Sequence, residues 1–441
     1  MVAVMTPREL AFKILKNAAS GATYSNIAVD NALKKNELSQ ADTGLLTAIV
    51  MGVTERALTL DHIIDRLSSR PDTVDADARV LLRMGIYQVA YLDRIPEYAA
   101  VNETVSLAPR RCRGFVNAIM REYLRRRQKG TVSELFPDGE MEPVEFLSVY
   151  YSFPREVCER FLSIYPLERV KKIFEIFNRP PRLTLRINTL KISREDYSKL
   201  LDEREIRYTL SERLENAIVL ENVSFAALPG FEEGYFFVQD EASQICVEAL
   251  GAERDMLMID ACSCPGSKSF GSAIRMENRG RILAYDLHKS KLSLIENSAA
   301  RLGIDIITAA VRDGRQLDET LVGQADRVLC DVPCSGLGVI AKKPEIRYKS
   351  MGDFARLPEI QLAILENCSK YVKKGGMLVY STCTVLPEEN EGNVKRFLSS
   401  HPEFSSVDFT VGDISSEGGM LSLSPDIHGT DGFFVAKFIK N

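Results

Sequence analysis

The sequence predicts an α/β protein in three parts: an all-α helical bundle, a small α+β region and a doubly wound domain with a mostly parallel sheet. Three observations predict this. Apolar residues recur at helical spacing through residues 1–128, short runs with period two occur between 144 and 234, and strand-like runs alternate with helical ones from about Tyr235. Regular alternation is typical of a parallel sheet covered by helices. We therefore expect domains at 1–130, 144–234 and 235–441.

The N-terminal region predicts helices because its apolar residues fall on single helical faces. Pro7 suits the first turn of a helix that Thr6 caps. The polar stretch from Thr131 to about Pro143, which contains Gly139, suits a linker. The apolar stripes are Leu10-Ala11-Ile14-Leu15, Leu45-Leu46-Ile49-Val50-Val53, Leu60-Ile63-Ile64-Leu67, Val80-Leu81-Met84-Tyr87-Leu92 and Phe115-Val116-Ile119-Met120-Tyr123-Leu124.

The later regions predict strands. Arg182–Asn188 alternates with period two and Ile218–Leu220 is a short apolar run. These two strands suit a small RNA-facing sheet and, equally, a plain α+β spacer. In the C-terminal region the predicted strands are Met256–Asp260, Arg281–Tyr285, Ile304–Val311, Arg327–Val332, Met377–Ser381 and Phe433–Ile439, and the predicted helices start near Ser269 and cover Lys289–Leu302, 357–373 and 388–400.

The composition is that of an ordinary globular protein. Of the 441 residues, 45% are hydrophobic and 27% are charged, and no run approaches the roughly 18 apolar residues of a membrane span. The opening residues MVAVMTPRELAFKILK carry charges where a signal peptide would be apolar. The nine cysteines lack the dense spacing of a disulfide framework. We therefore expect a monomeric cytoplasmic protein with reduced thiols and with no membrane or metal partner.

Charge is unevenly distributed along the chain. The net charge is −5, yet residues 1–130 contain 19 Lys and Arg against 14 Asp and Glu. Within 110–129 Glu122 is the only acid, so this stretch predicts contact with RNA phosphates, although cations also stabilise a helix C-terminus. The predicted RNA contacts are Arg110, Arg111, Arg113, Arg121 and Arg125, with Arg126, Arg127 and Lys129 beside them, and Lys342, Lys343, Arg347 and Lys349 in the loop after the fourth strand.

Two cysteines occupy matching positions after predicted strands. Cys334 lies in LCDVPCSG (329–336) and Cys383 lies in LVYSTCTVLPEEN (378–390). Because ligands bind beyond the C-termini of parallel strands, both thiols are expected in one crevice. A thiolate can add to C6 of cytosine and thereby activate C5, so the pair predicts covalent chemistry on a base. A metal site is disfavoured because Cys330 lies within its strand and no His or Cys pair completes a ligand set.

Acids end four successive predicted strands: Asp260, Asp286, Asp313 and Asp331. The loop DACSCPGSK that begins at Asp260 would let the backbone and a helix N-terminus approach a ligand. Asp286 stands about where an acid binds ribose hydroxyls in dinucleotide folds. Each acid alone could equally cap a helix. Together they favour a cofactor with hydroxyls and a cationic amino group, which is S-adenosylmethionine rather than NAD or ATP.

The motifs DACSCPGSK, YDLHKSK, VRDGR, LCDVPCSGLGVI and YSTCTVLPEENE occur in the order found in RNA cytosine-C5 methyltransferases of the Sun superfamily, which this chain resembles. FFVQDEASQICVEAL (236–250) resembles the entry to that family's catalytic domain. Arg8-Glu9-Leu10-Ala11 and GVTERALTLDHIID (52–65) are similar to the NusB-like RNA-binding domain of the bacterial members for small-subunit (16S) ribosomal RNA. The resemblance spans nearly the whole chain and implies a Rossmann-like class I methyltransferase domain that uses S-adenosyl-L-methionine.

The resemblance also implies roles for the matching positions. Cys383 would be the nucleophile, Cys334 would assist release of the methylated base, and Asp331 would lie between the cofactor amino group and the polar edge of the base. If Asp331 donates to cytosine N3, it must be protonated at that moment. The other cofactor contacts would be Asp286 at the ribose, Asp313 at the adenine end, and Cys262, Ser263, Cys264, Pro265, Gly266, Ser267 and Lys268 at the methionine portion.

The family loop usually reads CAAPGGK, and the departure from it that matters here is Ser267, which replaces a glycine. If that position needs positive φ, serine adds strain of about 1 kcal/mol and weakens cofactor binding.

Three further interpretations of the function stay open. Cys334 could be the nucleophile, as in DNA cytosine methyltransferases. The chain could be an amino-group methyltransferase, although the turn after Asp331 has no aromatic residue. Finally, it could be an RNA-binding assembly factor with a degenerate methyltransferase domain.

Overall fold

The computed structural model describes residues 5–18, 25–137, 141–221, 223 and 225–441, so Gly139 of the predicted linker lies outside the described residues. The chain forms two compact units. The first comprises the residues up to Arg179 together with Ile340–Met351, and the second comprises Pro180–Val339 and Gly352–Asn441. The three domain ranges expected from the sequence stay a prediction.

Helices build the first unit, as the apolar stripes predict. Buried residues such as Leu46, Leu60, Leu81 and Val116 belong to one core. Ser39 caps α3 by accepting the N–H of Asp42. The α-helices are α1 (Pro7–Ala18), α2 (Ser25–Lys35), α3 (Gln40–Glu55), α4 (Ala57–Leu67), α5 (Ala76–Tyr91), α6 (Glu97–Leu107), α7 (Arg113–Gln128), α8 (Pro143–Tyr151), α9 (Arg155–Ile164) and α10 (Leu167–Phe177), and short 3-10 helices cover Pro71–Thr73, Val132–Leu135 and Pro344–Tyr348.

A small antiparallel sheet opens the second unit. Its strands are β1 (Leu183–Ile187), β2 (Tyr208–Leu210), β3 (Ala217–Leu220) and β4 (Phe236–Val238), in the order β2-β3-β1-β4, and helix α11 (Arg194–Asp202) follows β1. The two predicted strands of this region correspond to β1 and β3. Strands β2 and β4 have three residues each, which is too short for a period-two pattern to reveal.

The large sheet has the predicted architecture. Its strands are β5 (Leu257–Asp260), β6 (Arg281–Asp286), β7 (Ile307–Val311), β8 (Ala325–Asp331), β9 (Val372–Thr382), β10 (Phe404–Ser406), β13 (Met420–Leu423) and β14 (Phe433–Lys440); β11 (Thr410–Val411) and β12 (Ile414–Ser415) form a separate ribbon. The order is β10-β14-β9-β8-β5-β6-β7, with β13 beside β14. Strands β5 to β9 pair in parallel, whereas β14 is antiparallel to β9. The helices are α12 (Glu241–Leu250), α13 (Ser267–Arg275), α14 (Lys289–Leu302), α15 (Leu357–Ser369), α16 (Glu391–Ser400) and α17 (Pro425–His428). The predicted fold class is confirmed.

The strand register determines where the candidate site lies. Asp331, the last residue of β8, is the register partner of Ser381 on β9. Asp260 at the end of β5 lies opposite Leu329, so β5 and β8 also end at about the same level. Strand β5 lies between β6, to which the chain runs next, and β8 on its other side. The strand order therefore reverses at β5, and such a topological switch point creates a crevice at the carboxyl ends of the strands.

Within the described residues, no single helix has the length and apolar character needed to cross a membrane. Helices α3 and α4 pass such a test only as a pair, and the pair is bent by 77° at its break.

Candidate active site

The two predicted thiols meet at the carboxyl edge of the sheet. Cys334 follows β8, Cys383 follows β9, and their Sγ atoms lie 3.2 Å apart. The Cys383 N–H donates to the Cys334 Sγ at 3.3 Å. Both side chains are half-buried, and that of Cys383 also packs against the core. Hydrogen bonding with Cys383, followed by burial, raises the pKa of the Cys334 thiol well above its ordinary value.

Close backbone packing holds the two cysteine loops together. The Gly338 N–H donates to the Cys383 carbonyl at 3.0 Å. A Cβ at Gly338 would lie 1.9 Å from the carbonyl oxygen of Gly432, so only glycine allows this approach. The loop after β8 is thus fixed to the loops after β9 and before β14.

A lysine and an aspartate form an ion pair beside the thiols. Lys268 Nζ lies 2.6 Å from Asp331 Oδ2, and the Ser381 hydroxyl donates to Asp331 Oδ1 at 2.8 Å. The Lys268 side chain lies against the Phe433 ring, with Nζ 5.1 Å from its centroid. Burial opposes the charge of Lys268, but the Asp331 carboxylate outweighs it and the pKa of Lys268 is raised. A negative charge on the Cys383 sulfur would act on Lys268 in the same direction.

The loop after β5 is shaped by one glycine. Gly266 has φ of +107°, and a Cβ there would lie 2.4 Å from the Phe270 ring. Ser267 is the first residue of α13, whose backbone is right-handed, so positive φ falls on Gly266 instead. The condition for strain at Ser267, a positive φ, is therefore not met. Serine at this position fits a helix N-terminus without a backbone penalty.

A buried carboxyl group lies beneath this loop. Ser269 donates to Asp260 Oδ2 at 2.7 Å and shares a hydrogen bond with Ser263 at 3.0 Å. Asp260 Oδ1 has no hydrogen-bond partner among the described residues. Burial raises the pKa of Asp260 to about 6. An orphaned acceptor of this kind fits a ligand that brings hydrogen-bond donors.

The two remaining strand-end acids differ in whether a neighbouring side chain already binds the carboxylate. Asp286 is buried and accepts the His288 N–H at 2.9 Å, which fixes its carboxylate at the end of β6. Asp313 lies just beyond β7, where both of its oxygens accept from the Arg315 guanidinium at 2.9 and 2.7 Å. The Arg315 hydrogen bonds lower the pKa of Asp313. The Asp313 carboxylate is thus already paired.

Two buried polar residues behind the thiols were missed by the sequence analysis. Gln361 of α15 and Glu389 are 0% and 1% exposed, and Gln361 Nε2 donates to Glu389 Oε2 at 2.6 Å. The Ser335 N–H donates to the same oxygen at 3.0 Å. The only sequence signals were a glutamine within the apolar helix pattern of 357–373 and the acidic run just after Cys383.

The predicted RNA contacts on and before α7 are partly engaged with neighbouring groups. Arg111 pairs with Asp75 and Asp77, and Arg125 pairs with Glu122. Arg113 Nε donates to the Ala108 carbonyl, and Arg121 Nε donates to Asn117. The side chains of Arg110, Arg111, Arg113, Arg121 and Arg125 are all exposed, and exposed ion pairs of this kind are weak.

The prediction of an RNA contact at Arg347 is wrong in this structure. Its side chain is 0% exposed and donates from Nη1 to the Glu55 carbonyl at 3.0 Å and to Asn178 Oδ1 at 2.8 Å. The guanidinium lies 4.2 Å from the Phe153 ring centroid. Burial lowers the pKa of Arg347 to about 10. The neighbouring Lys343 is exposed and Lys342 is half-buried.

Within the part of the chain that the structure describes, no group of three or more His, Cys, Asp or Glu side chains could hold a metal ion. The thiols and carboxylates are therefore considered as separate chemical groups.

Comparison with known families gives three matches along the chain. The family described as 16S rRNA methyltransferase RsmB/F matches residues 247–439. The NusB family matches residues 5–125. The ferredoxin-like domain described for RsmF/B-like methyltransferases matches residues 153–225.

Individual proteins match over the full length. The chain is 36% identical to a probable ribosomal RNA small subunit methyltransferase B of Bacillus subtilis, with 98% of each chain covered. It is 35% identical to a probable methyltransferase B of Synechocystis, with 99% of this chain and 100% of the relative covered. Among solved structures, that of PH0851 is similar with a TM-score of 0.79 at 26% identity, and 99% of each chain is covered.

Proposed function

The chain belongs to the RsmB/F family of 16S ribosomal RNA methyltransferases, and we propose that it methylates carbon 5 of a cytosine through a covalent bond between an enzyme thiol and C6. The observation that carries this proposal is the pair of thiols 3.2 Å apart at the ends of two adjacent strands. Methylation of an amino group or a hydroxyl requires no thiol, whereas methylation of an unactivated ring carbon requires a nucleophile at C6.

S-adenosylmethionine supplies the electrophilic methyl group when it is bound. The residues that would hold it are Asp286 at the ribose, Asp313 at the adenine end and the 262–268 loop at the methionine portion. The unpartnered Asp260 oxygen and the buried Asp286 carboxylate suit the amino and hydroxyl donors of this molecule. Because the Asp313 carboxylate already accepts two hydrogen bonds from Arg315, Asp313 would bind the cofactor through its backbone, or through its side chain after Arg315 moves away.

Cys383 is the nucleophile in this proposal. The positive charge of Lys268 stabilises a thiolate at Cys383. Cys334 has a strongly raised pKa, which keeps its thiol protonated at neutral pH. The positive charge of Lys268 acting on Cys383 and the negative charge of Glu389 acting on Cys334 favour Cys383 over the swapped assignment with Cys334 as nucleophile.

The Lys268–Asp331 pair would bind the polar edge of the cytosine. Asp331 forms an ion pair with Lys268 and accepts a hydrogen bond from the Ser381 hydroxyl. A carboxylate can accept from the cytosine 4-amino group, while the Lys268 ammonium can donate to N3 and stabilise the charge that develops there. Lys268 then supplies the hydrogen-bond donor to N3.

The thiols then complete the cycle. The Cys383 thiolate adds to C6, and the electron pair of the C5=C6 bond moves into the ring. C5 then takes the methyl carbon, whose bond to the cofactor sulfur would break so that S-adenosylhomocysteine leaves as the neutral thioether. Loss of the C5 proton to a base restores the double bond and expels the Cys383 thiolate. Cys334 is placed to assist this elimination, since its sulfur lies against the leaving sulfur.

The exposed arginines of the 110–129 stretch would bind the ribosomal RNA backbone, and Lys342 and Lys343 would add to that contact. The target base must leave its stack before Cys383 can reach it. We expect the enzyme to meet this RNA substrate in the cytoplasm.

A trapping experiment tests the proposal. The Cys334→Ala, Cys383→Ala and double variants would be incubated with S-adenosylmethionine and 16S ribosomal RNA and resolved on a denaturing gel. Because elimination stalls without Cys334, we expect a slow-migrating protein–RNA adduct in Cys334→Ala alone. An adduct only in Cys383→Ala would reverse the roles of the two thiols.

The absence of any adduct would favour either an amino-group methyltransferase or a degenerate assembly factor, and methyl transfer separates these two. In an amino-group methyltransferase, methyl transfer would persist in the double variant. In a degenerate assembly factor, the wild-type protein would bind RNA but transfer no methyl group from S-adenosylmethionine.

A further inference from the structure

A buried polar bridge fixes the backbone on both sides of Cys334. Gln361 Nε2 donates to the Pro333 carbonyl at 3.0 Å, and the Ser335 N–H donates to Glu389 Oε2 at 3.0 Å. Gln361 and Glu389 are joined at 2.6 Å. The peptide groups before and after Cys334 are therefore both attached to one pair of side chains.

The same region is tied to the loop of Cys383. The Ser335 and Thr384 hydroxyls, which directly follow the two cysteines, lie 2.6 Å apart. Asn390, next to Glu389, donates to the Thr384 carbonyl at 3.0 Å. The bridge thus sets the position of one thiol against the other.

This arrangement is costly for a purely structural role. Glu389 is 1% exposed, and its Oε1 has no hydrogen-bond partner among the described residues. A buried carboxylate without a cation beside it destabilises a fold, and apolar residues would hold two loops together at lower cost. Burial raises the pKa of Glu389 above its ordinary value. A carboxyl group kept in so unfavourable a place points to a role in the chemistry of the adjacent thiol.

The two thiols interact with charges of opposite sign. The ammonium of Lys268 acts on Cys383, whereas the carboxylate of Glu389 acts on Cys334. The other titratable groups that interact with Cys334 are Cys383 and Tyr380, both from β9 and the residues that follow it. Glu389 itself interacts with Glu388, which is exposed.

We propose that Glu389 and Gln361 are positioning residues that assign different roles to the two thiols: they hold Cys334 against Cys383, and the Glu389 carboxylate keeps Cys334 as a thiol while Cys383 acts as the thiolate. This inference rests on the proposed function for its catalytic meaning. Its electrostatic part is testable without RNA or methyl transfer.

The test is alkylation of Cys334 by iodoacetamide between pH 7 and 11.5, in protein carrying Cys383→Ala and read by peptide mass spectrometry. Adding Glu389→Gln keeps an acceptor for Ser335 and removes the charge. We expect the midpoint of the pH profile to fall by about one unit, which is a tenfold faster reaction at pH 7.5. The matched control is Glu388→Gln, which removes an exposed charge next to it and should change the rate less than twofold.

The profile separates an electrostatic role from a structural one. If Glu389→Gln only loosened the loop, the plateau rate at high pH would rise without a change of midpoint, and the proposal would be overturned. An unchanged profile in a protein with wild-type melting temperature would also overturn it.

Gln361→Leu tests the positioning part in the protein with both cysteines intact. We expect kcat to fall about tenfold with little change in the KM for RNA, and a covalent adduct to accumulate because elimination is slowed. A normal kcat would contradict the proposal. Failure of the trapping experiment together with a shifted alkylation profile would refute the proposed reaction and leave the assignment of Glu389 intact.

Discussion

At the carboxyl edge of the large sheet, charged side chains converge from several strands and are buried, whereas along α7 the arginines lie on an exposed surface. Lys268 is 8% exposed and its charge is matched by Asp331. Arg125 on α7 has a 58% exposed side chain and pairs with Glu122 one turn away. Because buried charges are costly and exposed ion pairs are worth about 1 kcal/mol or less, substitutions in the two regions should differ strongly in effect.

The largest effect is expected at Lys268. Replacing it with methionine removes the donor to the base and the charge that stabilises the Cys383 thiolate, so kcat should fall by about 10² to 10³. The acidic limb of the pH–rate profile should move to higher pH, because the thiolate becomes harder to form. Single-turnover kinetics from pH 6 to 9 would measure both changes. Lys289→Met, an exposed lysine at the start of α14, is the control and should retain wild-type kinetics.

Asp260 should show how far a buried carboxylate at the carboxyl edge of the large sheet lowers the free energy of unfolding. Its pKa is about 6 in the folded protein against 3.8 ordinarily, so its ionised form destabilises the fold. The free energy of unfolding should therefore decrease by about 2 kcal/mol from this group alone as pH rises from about 4 to 6. Asp260→Asn removes that pH dependence. Denaturant unfolding of both proteins at pH 4.5 and 7.5 measures it, and an identical pH dependence would contradict the assigned pKa.

Arg347 extends the comparison of buried and exposed charges, because it was expected on the surface and is buried. Arg347→Met would leave the Glu55 carbonyl and Asn178 without their donor, so the first unit should lose about 2 kcal/mol of stability. Differential scanning calorimetry would show a lowered melting temperature. The exposed Lys343→Met should not change it. A normal melting temperature for Arg347→Met, combined with weaker RNA binding, would restore the original prediction.

A structural feature could be predicted from the sequence where the residues that cause it are close together in the chain. The strand ends at Asp260, Asp286 and Asp331 were predictable, because period and length mark a strand and parallel pairing aligns the ends of neighbouring strands. The position of Arg347 was not predictable, since its partners Glu55 and Asn178 are distant in sequence.

Gln361 and Glu389 were hidden for the same reason, because their partners Pro333 and Ser335 belong to another loop. Whether Ser267 needs positive φ could not be read from the sequence, and the left-handed conformation belongs to Gly266, one residue earlier.

The smallest effect is expected on α7, and it tests whether this surface binds RNA at all. Arg121→Gln together with Arg110→Gln should weaken binding of 16S ribosomal RNA a few-fold and reduce the slope of log Kd against log salt by between one and two, since each lost phosphate contact contributes about 0.7 to 0.9. Glu122→Gln should act in the opposite direction, because it releases Arg125 and Arg126 from their pairs. Fluorescence anisotropy over a salt series measures both. If neither variant changes the slope, the arginines only complement their own helix, and RNA recognition lies elsewhere on the molecule.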